Sequence, residues 1–329
     1  MIEFVPVMKF PTTLIIVDDN QKFLDNFKLV LGGEYKYQVF ASAKEAIRFI
    51  EKQDQALKNL AKKYLVSVDD LDSMEPKLNL NISTLHQAVY DPHRFSLSTV
   101  IVTDYAMPDM NGLELCEQLK NRMIKIIMLT GEAGYDLAVA GFNERVIDQF
   151  VLKSESNFYE KVKEYYLQLE EKLFEQMSKS IIQTLSSESD VPFNNSEFIK
   201  FFKKLIDKHN IIEYYLLDAS GSYLFVDAKG KIYWLIVKNE EDMRMQYELA
   251  AEEKDLSPSI LKALKNKQKL AFLPTQSEKN KPVEDWRFED ADCLETQSGN
   301  YYYSLVKGTN KHYALDNQKI VSYSDYLMK

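Results

Sequence analysis

Five side chains stand where short apolar runs end, and their types suit phosphoryl chemistry. Asp18, Asp19, Asp104, Thr130 and Lys153 each lie directly after such a run or one residue beyond it. Runs of this kind are typical of strands buried on both faces of a parallel sheet. Because the carboxyl ends of parallel strands meet at one edge of the sheet, we expect the five side chains to converge.

Three carboxylates at one place repel one another, which favours a hard divalent cation with oxygen ligands, Mg²⁺ above all. The carboxylate of Asp104 can then attack a phosphoryl donor and become an acyl phosphate. Lys153 and Thr130 are positioned to contact the new phosphate oxygens. Alone, a strand-end aspartate is more often a helix cap, such a lysine a solvated tip and such a threonine a turn residue. The combination of all five therefore carries the prediction.

Strands and helices must alternate to position these residues. Apolar runs of strand length occur at 14–17, 37–40, 99–102, 124–129 and 146–152. Apolar residues at helical spacing lie between them, at 23–31, 42–50, 113–120 and 135–142. This order predicts an α/β fold with a doubly wound, five-stranded parallel sheet and right-handed crossovers. The stretch at about 56–98 has no clear pattern and is interpreted as an insertion.

The full pattern resembles the signature of two-component response-regulator receiver domains. The resemblance rests on Asp18-Asp19, on Asp104 with its Met107-Pro108 and Asn111-Gly112 loop, on Thr130 and on Lys153, and it covers about residues 12–165. It implies that Asp104 is phosphorylated by a histidine kinase or a phosphotransfer protein.

The same resemblance assigns further roles. It implies that Mg²⁺ is held by Asp19, Asp104 and the backbone carbonyl of Ala106, and by Asp18 through water. It also implies that Thr130 and Phe150 are the paired switch residues, since Phe150 lies three residues before the lysine, where the family carries an aromatic side chain.

Two features depart from that family. Ser154 follows Lys153, where the family usually has proline, so the rigidity and the cis bond of this loop are in doubt. The insertion at about 56–98 is also unusual, and it lies where it could cover a dimer or kinase surface.

A long helix is expected to follow the receiver. A helix over about 158–185 is predicted by the three- and four-residue spacing of Phe158, Val162, Tyr165, Leu169, Leu173, Met177 and Ile181. This helix either packs on its own domain or self-associates as a connecting helix, so a phosphorylation-dependent homodimer is an expected partner state. The predicted domains are a receiver at 1–157, a helical linker at 158–188 and an output domain at 189–329.

The output domain reads as a separate α+β domain with an antiparallel sheet. Strands are predicted at 211–217, 223–226, 231–237, 301–306 and 313–315. The turns Asp218-Ala-Ser-Gly221 and Asp227-Ala-Lys-Gly230 join the first three into a meander, because glycine supplies the positive φ that such turns need.

The chemistry of the output domain is left open by its residues. His209 and His312 lack a metal-ligand partner and read as structural, and Cys293 lacks a catalytic signature. A grouping of Asp218, Asp227 and Glu240 would favour an enzyme acting on nucleotides. Four lysines beside a short helix, Lys262, Lys265, Lys267 and Lys269, would favour DNA binding. A binding module for a protein or small ligand is the first of these alternatives, and enzyme activity is left unassigned.

Composition narrows the setting. The net charge is −9 over 329 residues, which disfavours bulk nucleic-acid binding and leaves a local basic patch as the alternative. No apolar run has the length of a membrane span, no signal peptide pattern is present at the N-terminus, and two cysteines give no disulfide framework. We therefore expect a cytoplasmic protein without a membrane partner.

Overall fold

The computed structural model of the chain describes residues 4–53, 82–120, 122–131, 134–188, 191–253, 256–272, 286–308, 315 and 319–328. Its described residues form two compact units. Residues 11–53, 92–177 and 326–328 form the parallel-sheet unit, and residues 4–10, 82–91 and 178–325 form the antiparallel-sheet unit. None of the described helices is both long enough and apolar enough to cross a membrane.

The apolar runs that end at the candidate site residues form one parallel sheet. Its spatial order is β3-β2-β4-β5-β6. The strands are β2 (Leu14–Val17), β3 (Tyr37–Phe40), β4 (Val100–Asp104), β5 (Lys125–Thr130) and β6 (Gln149–Leu152). Every residue of β2 and of β4 is buried, as expected for central strands covered on both faces. The predicted doubly wound, five-stranded sheet is confirmed.

Helices cover both faces of this sheet. The helices are α1 (Gln21–Leu31), α2 (43–53), α3 (Gly112–Leu119), α4 (Tyr135–Asn143) and α5 (Phe158–Glu188). Apolar residues of α1 and α5 pack on one face, and those of α2, α3 and α4 pack on the other. Successive strand residues such as Ile15 and Ile16 enter opposite cores, because side chains alternate across a strand.

The long helix is present, and its apolar stripe is covered within the chain. Of the predicted stripe, Phe158, Val162, Leu169, Leu173 and Ile181 are buried, and Tyr165 and Met177 are half-buried. This burial favours packing on the same chain over self-association through that stripe. The homodimer itself stays a prediction.

The antiparallel-sheet unit contains a six-stranded sheet of order β1-β7-β8-β9-β13-β12. Its strands are β1 (Met8–Lys9), β7 (Ile211–Leu216), β8 (Tyr223–Asp227), β9 (Ile232–Lys238), β12 (Asp292–Thr296) and β13 (Gly299–Lys307). β10 (Lys269–Phe272) and β11 (Arg287–Asp290) form a separate pair. The helices are α6 (Ser196–His209), α7 (Glu240–Ala251), α8 (Pro258–Lys265) and α9 (Tyr323–Leu327). The predicted α+β character and the antiparallel meander are confirmed.

Some of the predicted elements and boundaries are not tested by the described residues. Residues 313 and 314 of the strand predicted at 313–315, the first part of the insertion and His312 lie outside the described residues. The described end of the insertion forms two 3₁₀ segments, Ile82–Tyr90 and Pro92–Ser96. The boundaries 1–157, 158–188 and 189–329 stay a prediction, since compactness does not test which segments fold independently.

Candidate functional site

Asp104 is the last residue of β4, the central strand, and it is 7% exposed. The loop that follows returns at once to the strand end, where the Gly112 N–H donates to the Tyr105 carbonyl at 2.8 Å. A Cβ on Gly112 would collide with the Asp104 backbone and would lie 2.9 Å from Tyr105 Cα. The glycine therefore lets α3 begin directly against the strand that carries Asp104.

Asp18 and Asp19 follow β2, the neighbouring strand, as the sequence predicted. Oxygen atoms of Asp18, Asp19 and Asp104 all lie within 4.8 Å of one another. Asp18 is fully buried, whereas Asp19 is exposed. The Asn20 N–H donates to Asp18 Oδ1 at 2.8 Å, and the Asn20 side chain in turn caps α1. The cap thus fixes the carboxylates at the start of the helix.

Lys153 bridges two of these carboxylates. Its Nζ lies 2.7 Å from Asp18 Oδ2 and 2.9 Å from Asp104 Oδ1. Burial alone would lower the pKa of Lys153, but the hydrogen bonds to Asp18 and Asp104 outweigh it and raise the pKa. The ammonium therefore stays charged and offsets part of the repulsion among the acids.

Asp104 keeps one oxygen open. Its Oδ1 accepts both the Tyr105 N–H, at 2.9 Å, and the Lys153 ammonium, whereas no described protein group donates to Oδ2. Burial raises the pKa of Asp104. The Lys153 ammonium lowers this pKa, and the negative charge of Asp18 raises it again, so that the net shift is upward. The arrangement holds the carboxylate in one orientation and leaves Oδ2 as the atom that can attack.

Thr130 ends β5 and is fully buried. Its hydroxyl donates to the Gly131 carbonyl at 2.9 Å. Gly134 lies against it: a Cβ there would collide with Thr130 Oγ1 and would lie 2.9 Å from the Tyr105 ring. Thr130 thus occupies a confined position in which its hydroxyl is bonded to the neighbouring backbone.

Phe150 lies on β6, three residues before Lys153, and is half-buried. Its ring packs edge-on against Phe142 of α4, with 6.2 Å between the centroids. Phe142 is itself partly exposed, at 42%. The ring of Phe150 therefore lies between the core beneath α4 and the partly exposed Phe142.

Three site neighbours were not predicted to be part of the site. Phe23, in the first turn of α1, places its ring 4.5 Å from Lys153 Nζ, and Tyr105 and Gly134 frame Thr130. The sequence marks Phe23 only as one member of an apolar helix stripe, because periodicity does not show which ring faces a cation. The glycines of a loop carry no signal that identifies a tight packing partner.

The three carboxylates fit a magnesium ion. They supply only oxygen ligands and a negative charge that a single lysine does not balance, which is the donor chemistry that Mg²⁺ prefers. Asp19 and Asp104 would be direct ligands, with Asp18 acting through water and the carbonyl of Ala106 completing the protein's share. The ligand set itself stays a prediction.

The acidic groups proposed for the output domain do not converge. Among the described residues, the acids that could hold a metal together are Asp18, Asp19 and Asp104. Asp218 and Asp227 instead accept backbone N–H groups within their own turns, and Glu240 pairs with Lys267 and accepts from the Tyr302 hydroxyl.

The remaining predicted residues of that half take structural positions. The Cys293 side chain is exposed, and burial followed by the charge of Glu295 raises its thiol pKa, so the reactive thiolate is disfavoured. His209 packs on Tyr233.

The chain is similar to known response regulators in sequence and in structure. Residues 82–162 match the model of the response regulator receiver domain, a range that includes Asp104, Thr130, Phe150 and Lys153. The structure of the Legionella pneumophila response regulator LqsR is 32% identical, covers 100% of this chain and 97% of its own, and has a TM-score of 0.79. No curated protein matches the chain.

Two further structures are receiver domains alone. A CheY-like receiver domain protein from Methanospirillum hungatei JF-1 is 23% identical over 49% of this chain and 98% of its own, with a TM-score of 0.31. The receiver domain of the Francisella response regulator 1452 is 16% identical over 49% and 98%, with a TM-score of 0.32. The Legionella regulator, by contrast, matches this chain along its whole length. The chain therefore belongs to the receiver-containing response regulators of two-component signalling.

Proposed function

We propose that Asp104 accepts a phosphoryl group from a histidine kinase or phosphotransfer protein in a magnesium-dependent reaction, and that the receiver thereby controls the antiparallel-sheet unit. The observation that carries this proposal is the state of the Asp104 carboxylate. One oxygen is held by Lys153 and a backbone N–H, while the other has no described protein donor. The same carboxylate has an oxygen within 4.8 Å of oxygens of Asp18 and Asp19.

The transfer forms one bond and breaks one. Asp104 Oδ2 attacks phosphorus, the P–N bond of a phosphohistidine breaks, and the electron pair remains on the imidazole nitrogen of the donor. A bound Mg²⁺ supplies charge neutralisation at the phosphoryl oxygens. Lys153 stays protonated throughout, so that its ammonium can move from Asp104 Oδ1 toward a phosphoryl oxygen.

Thr130 and Phe150 give this chemistry a structural consequence. In the structure the Thr130 hydroxyl donates to Gly131 O. A phosphoryl group on Asp104 offers a charged acceptor, which is the stronger partner for a hydroxyl. Thr130 then turns toward Asp104, and the Phe150 ring follows into the space that is vacated. A two-state change of this kind is how a modification biases a fold.

Incorporation of label from acetyl phosphate tests the phosphoacceptor. With Mg²⁺ present, the wild-type chain should be labelled and Asp104→Asn should not. The matched control is Asp109→Asn, which changes an exposed aspartate of the same loop and should be labelled like the wild type. If Asp104→Asn is labelled, or if only the Asp109→Asn control loses its label, Asp104 is not the phosphoacceptor.

Control through a homodimer is tested separately. Beryllofluoride with Mg²⁺ should shift the elution of the full chain toward a dimer, while Asp104→Asn should stay at the unmodified position. An unchanged elution volume at high protein concentration would contradict control by dimerisation and would leave the phosphoacceptor assignment intact.

A further inference from the structure

Positive charges converge on the antiparallel-sheet unit at the end of α6. His209, the last residue of α6, packs on the Tyr233 ring with 5.1 Å between centroids. Lys231 Nζ lies 5.0 Å from the centroid of the same ring. Lys307 is the direct cross-strand partner of Tyr233, so the two side chains leave the sheet on the same face. A helix end, a turn and a strand end thus bring basic groups to one place.

The electrostatics at His209 report the same convergence. Burial lowers the pKa of His209 first, and the charges of Lys208, Lys307 and Lys231 lower it further. Three ammonium groups therefore lie close enough to one imidazole to disfavour its protonation.

These lysines have no carboxylate partner in the part of the chain that the structure describes. Lys208, Lys231 and Lys307 form no ion pair there, and Asp227, which ends β8, uses its Oδ1 to accept the backbone N–H groups of Lys229 and Lys231. Asp207 is exposed on α6 and is the acid nearest along the chain to Lys208. Asp207 and Asp227 carry two negative charges, whereas Lys208, Lys229, Lys231 and Lys307 carry four positive ones, so the surface keeps a positive charge.

The positive surface continues along α6. Phe198 and Phe202 of this helix are buried against the sheet, which turns Lys200, Lys203 and Lys204 to solvent, where all three are exposed. Lys200 and Lys208 are separated by about 12 Å along the helix axis, at about 1.5 Å per residue. We call Lys203, Lys204, Lys208, Lys231 and Lys307 the α6 lysine surface.

The character of this surface favours a phosphate backbone as its ligand. The Tyr233 ring is only 5% exposed, so its face is not open for stacking with a base. Among the described residues, the exposed large apolar side chains lie outside α6, β9 and β13, whereas protein partners usually need aromatic or aliphatic anchors. Extended, exposed lysines without anchors match the sequence-independent contacts that phosphates make.

We propose that the α6 lysine surface binds the phosphate backbone of a nucleic acid without sequence preference. The proposal does not depend on phosphotransfer at Asp104. The net charge of −9 does not prevent it, because at physiological ionic strength charges beyond about 8 Å are largely screened. It also differs from DNA binding through the lysines around α8, since Lys267 and Lys269 of that group pair with Glu240 and Asp290.

The test is binding of a fluorescein-labelled DNA duplex to the full chain, followed by anisotropy over a series of KCl concentrations. With three or so phosphates neutralised, log K should fall with log[KCl] at a slope of about −3. The double variant Lys208→Gln/Lys307→Gln should weaken binding at low salt by about tenfold or more and reduce the slope by about 2. The charge-preserving variant Lys208→Arg/Lys307→Arg should bind like the wild type.

The matched control removes the same charge elsewhere. Lys262→Gln/Lys265→Gln changes two exposed lysines of α8 and should leave affinity and slope unchanged. The proposal is overturned if the chain does not bind the duplex at low salt, if the control loses as much affinity as the α6 variant, or if poly-glutamate of equal charge competes as well as unlabelled DNA, which would indicate an acidic protein partner. Far-UV circular dichroism of each variant verifies that the fold is retained.

Discussion

Replacing Asp104 by asparagine should stabilise the chain in the absence of divalent cations. The change keeps the shape of the side chain and removes one of three carboxylates whose oxygens lie within 4.8 Å of one another. It also removes the ion pair of Asp104 with Lys153 at 2.9 Å. The sign of the effect depends on which of these contributions is larger.

The Coulomb energies nearly cancel. At an effective dielectric constant of about 20, unit charges at the 4.8 Å upper limit of the carboxylate spacing repel by about 3.5 kcal/mol, and charges 2.9 Å apart attract by about 5.7 kcal/mol. Asp104 meets one buried acid, Asp18, and one exposed acid, Asp19, whose repulsion is weakened by solvent. The cost of burying the Asp104 charge therefore decides the sign. We expect Asp104→Asn to raise the free energy of unfolding by about 1 kcal/mol at pH 7, within the usual range for single substitutions.

The dependence on pH follows from the direction of the pKa shift. The pKa of Asp104 is raised in the folded state, chiefly by burial, so the folded protein holds this proton more tightly than the unfolded chain. The stabilising contribution of the protonated carboxyl is fully present below the unfolded pKa and is lost as the pH rises through the folded pKa. The advantage of the asparagine variant should therefore be largest at neutral pH and should shrink as the medium becomes acidic.

Urea unfolding of both chains in EDTA, at pH 7 and at lower pH, measures this difference. Adding Mg²⁺ should then stabilise the wild type more than the variant, because a ligand that binds only the folded state adds to its stability. Asp109→Asn, in the same loop but exposed, should leave the midpoint unchanged. If Asp104→Asn is no more stable than the wild type at pH 7 in EDTA, the account of the acidic cluster is wrong.

Three further substitutions probe the parallel-sheet unit, two at the site and one at Thr12, before the start of β2. Lys153→Gln should destabilise the chain by about 3 kcal/mol near neutral pH, since it leaves the buried Asp18 without a cation. Because the pKa of Lys153 is raised, the wild type should lose this stabilisation only as the pH rises above about 10.4. A urea midpoint equal to that of the wild type at pH 7 would contradict the prediction. Gly134→Ala should cost about 1–3 kcal/mol by overpacking Thr130 and should abolish the beryllofluoride response, whereas Gly131→Ala, whose Cβ meets nothing within 4 Å, should retain both stability and response. Glu170→Gln should cost about 1–3 kcal/mol, because this buried carboxylate accepts from the N–H and the hydroxyl of Thr12, at 3.0 and 2.6 Å; thermal melting compares it with Glu164→Gln on the exposed side of α5.

The parallel sheet and the placement of its acidic residues could be predicted because both follow from short, regular patterns. A continuous apolar run identifies a central strand, and an aspartate directly after it must lie at the carboxyl edge of the sheet. What the pattern does not contain is which atom of each carboxylate is engaged. That Asp104 Oδ1 is held by Lys153 and the Tyr105 N–H, while Oδ2 has no described donor, depends on the return of the loop at Gly112.

Pairing between segments that are distant in the sequence could not be predicted from local patterns. Met8 and Lys9 form an edge strand of the antiparallel sheet by pairing with Tyr215 and Tyr214 of β7, although the whole parallel sheet separates the two segments in the sequence. A strand of two residues has no periodicity to detect, and nothing local indicates its partner. The Val7 N–H is likewise bound by Ser178 Oγ, at 3.0 Å, a contact that depends only on the tertiary fold.

The lysines of the antiparallel-sheet unit show the same limit in electrostatic terms. Counted along the sequence, the lysines around α8 form a dense group, which makes them a candidate for an anionic partner. In the fold, Lys267 and Lys269 lie against Glu240 and Asp290 and are paired, so their charge is largely offset. Lys208, Lys231 and Lys307 come from three separate elements that lie apart in the sequence, yet all three act on His209. A charge contributes to binding through the neighbours that the fold gives it, and those neighbours are distant in the sequence.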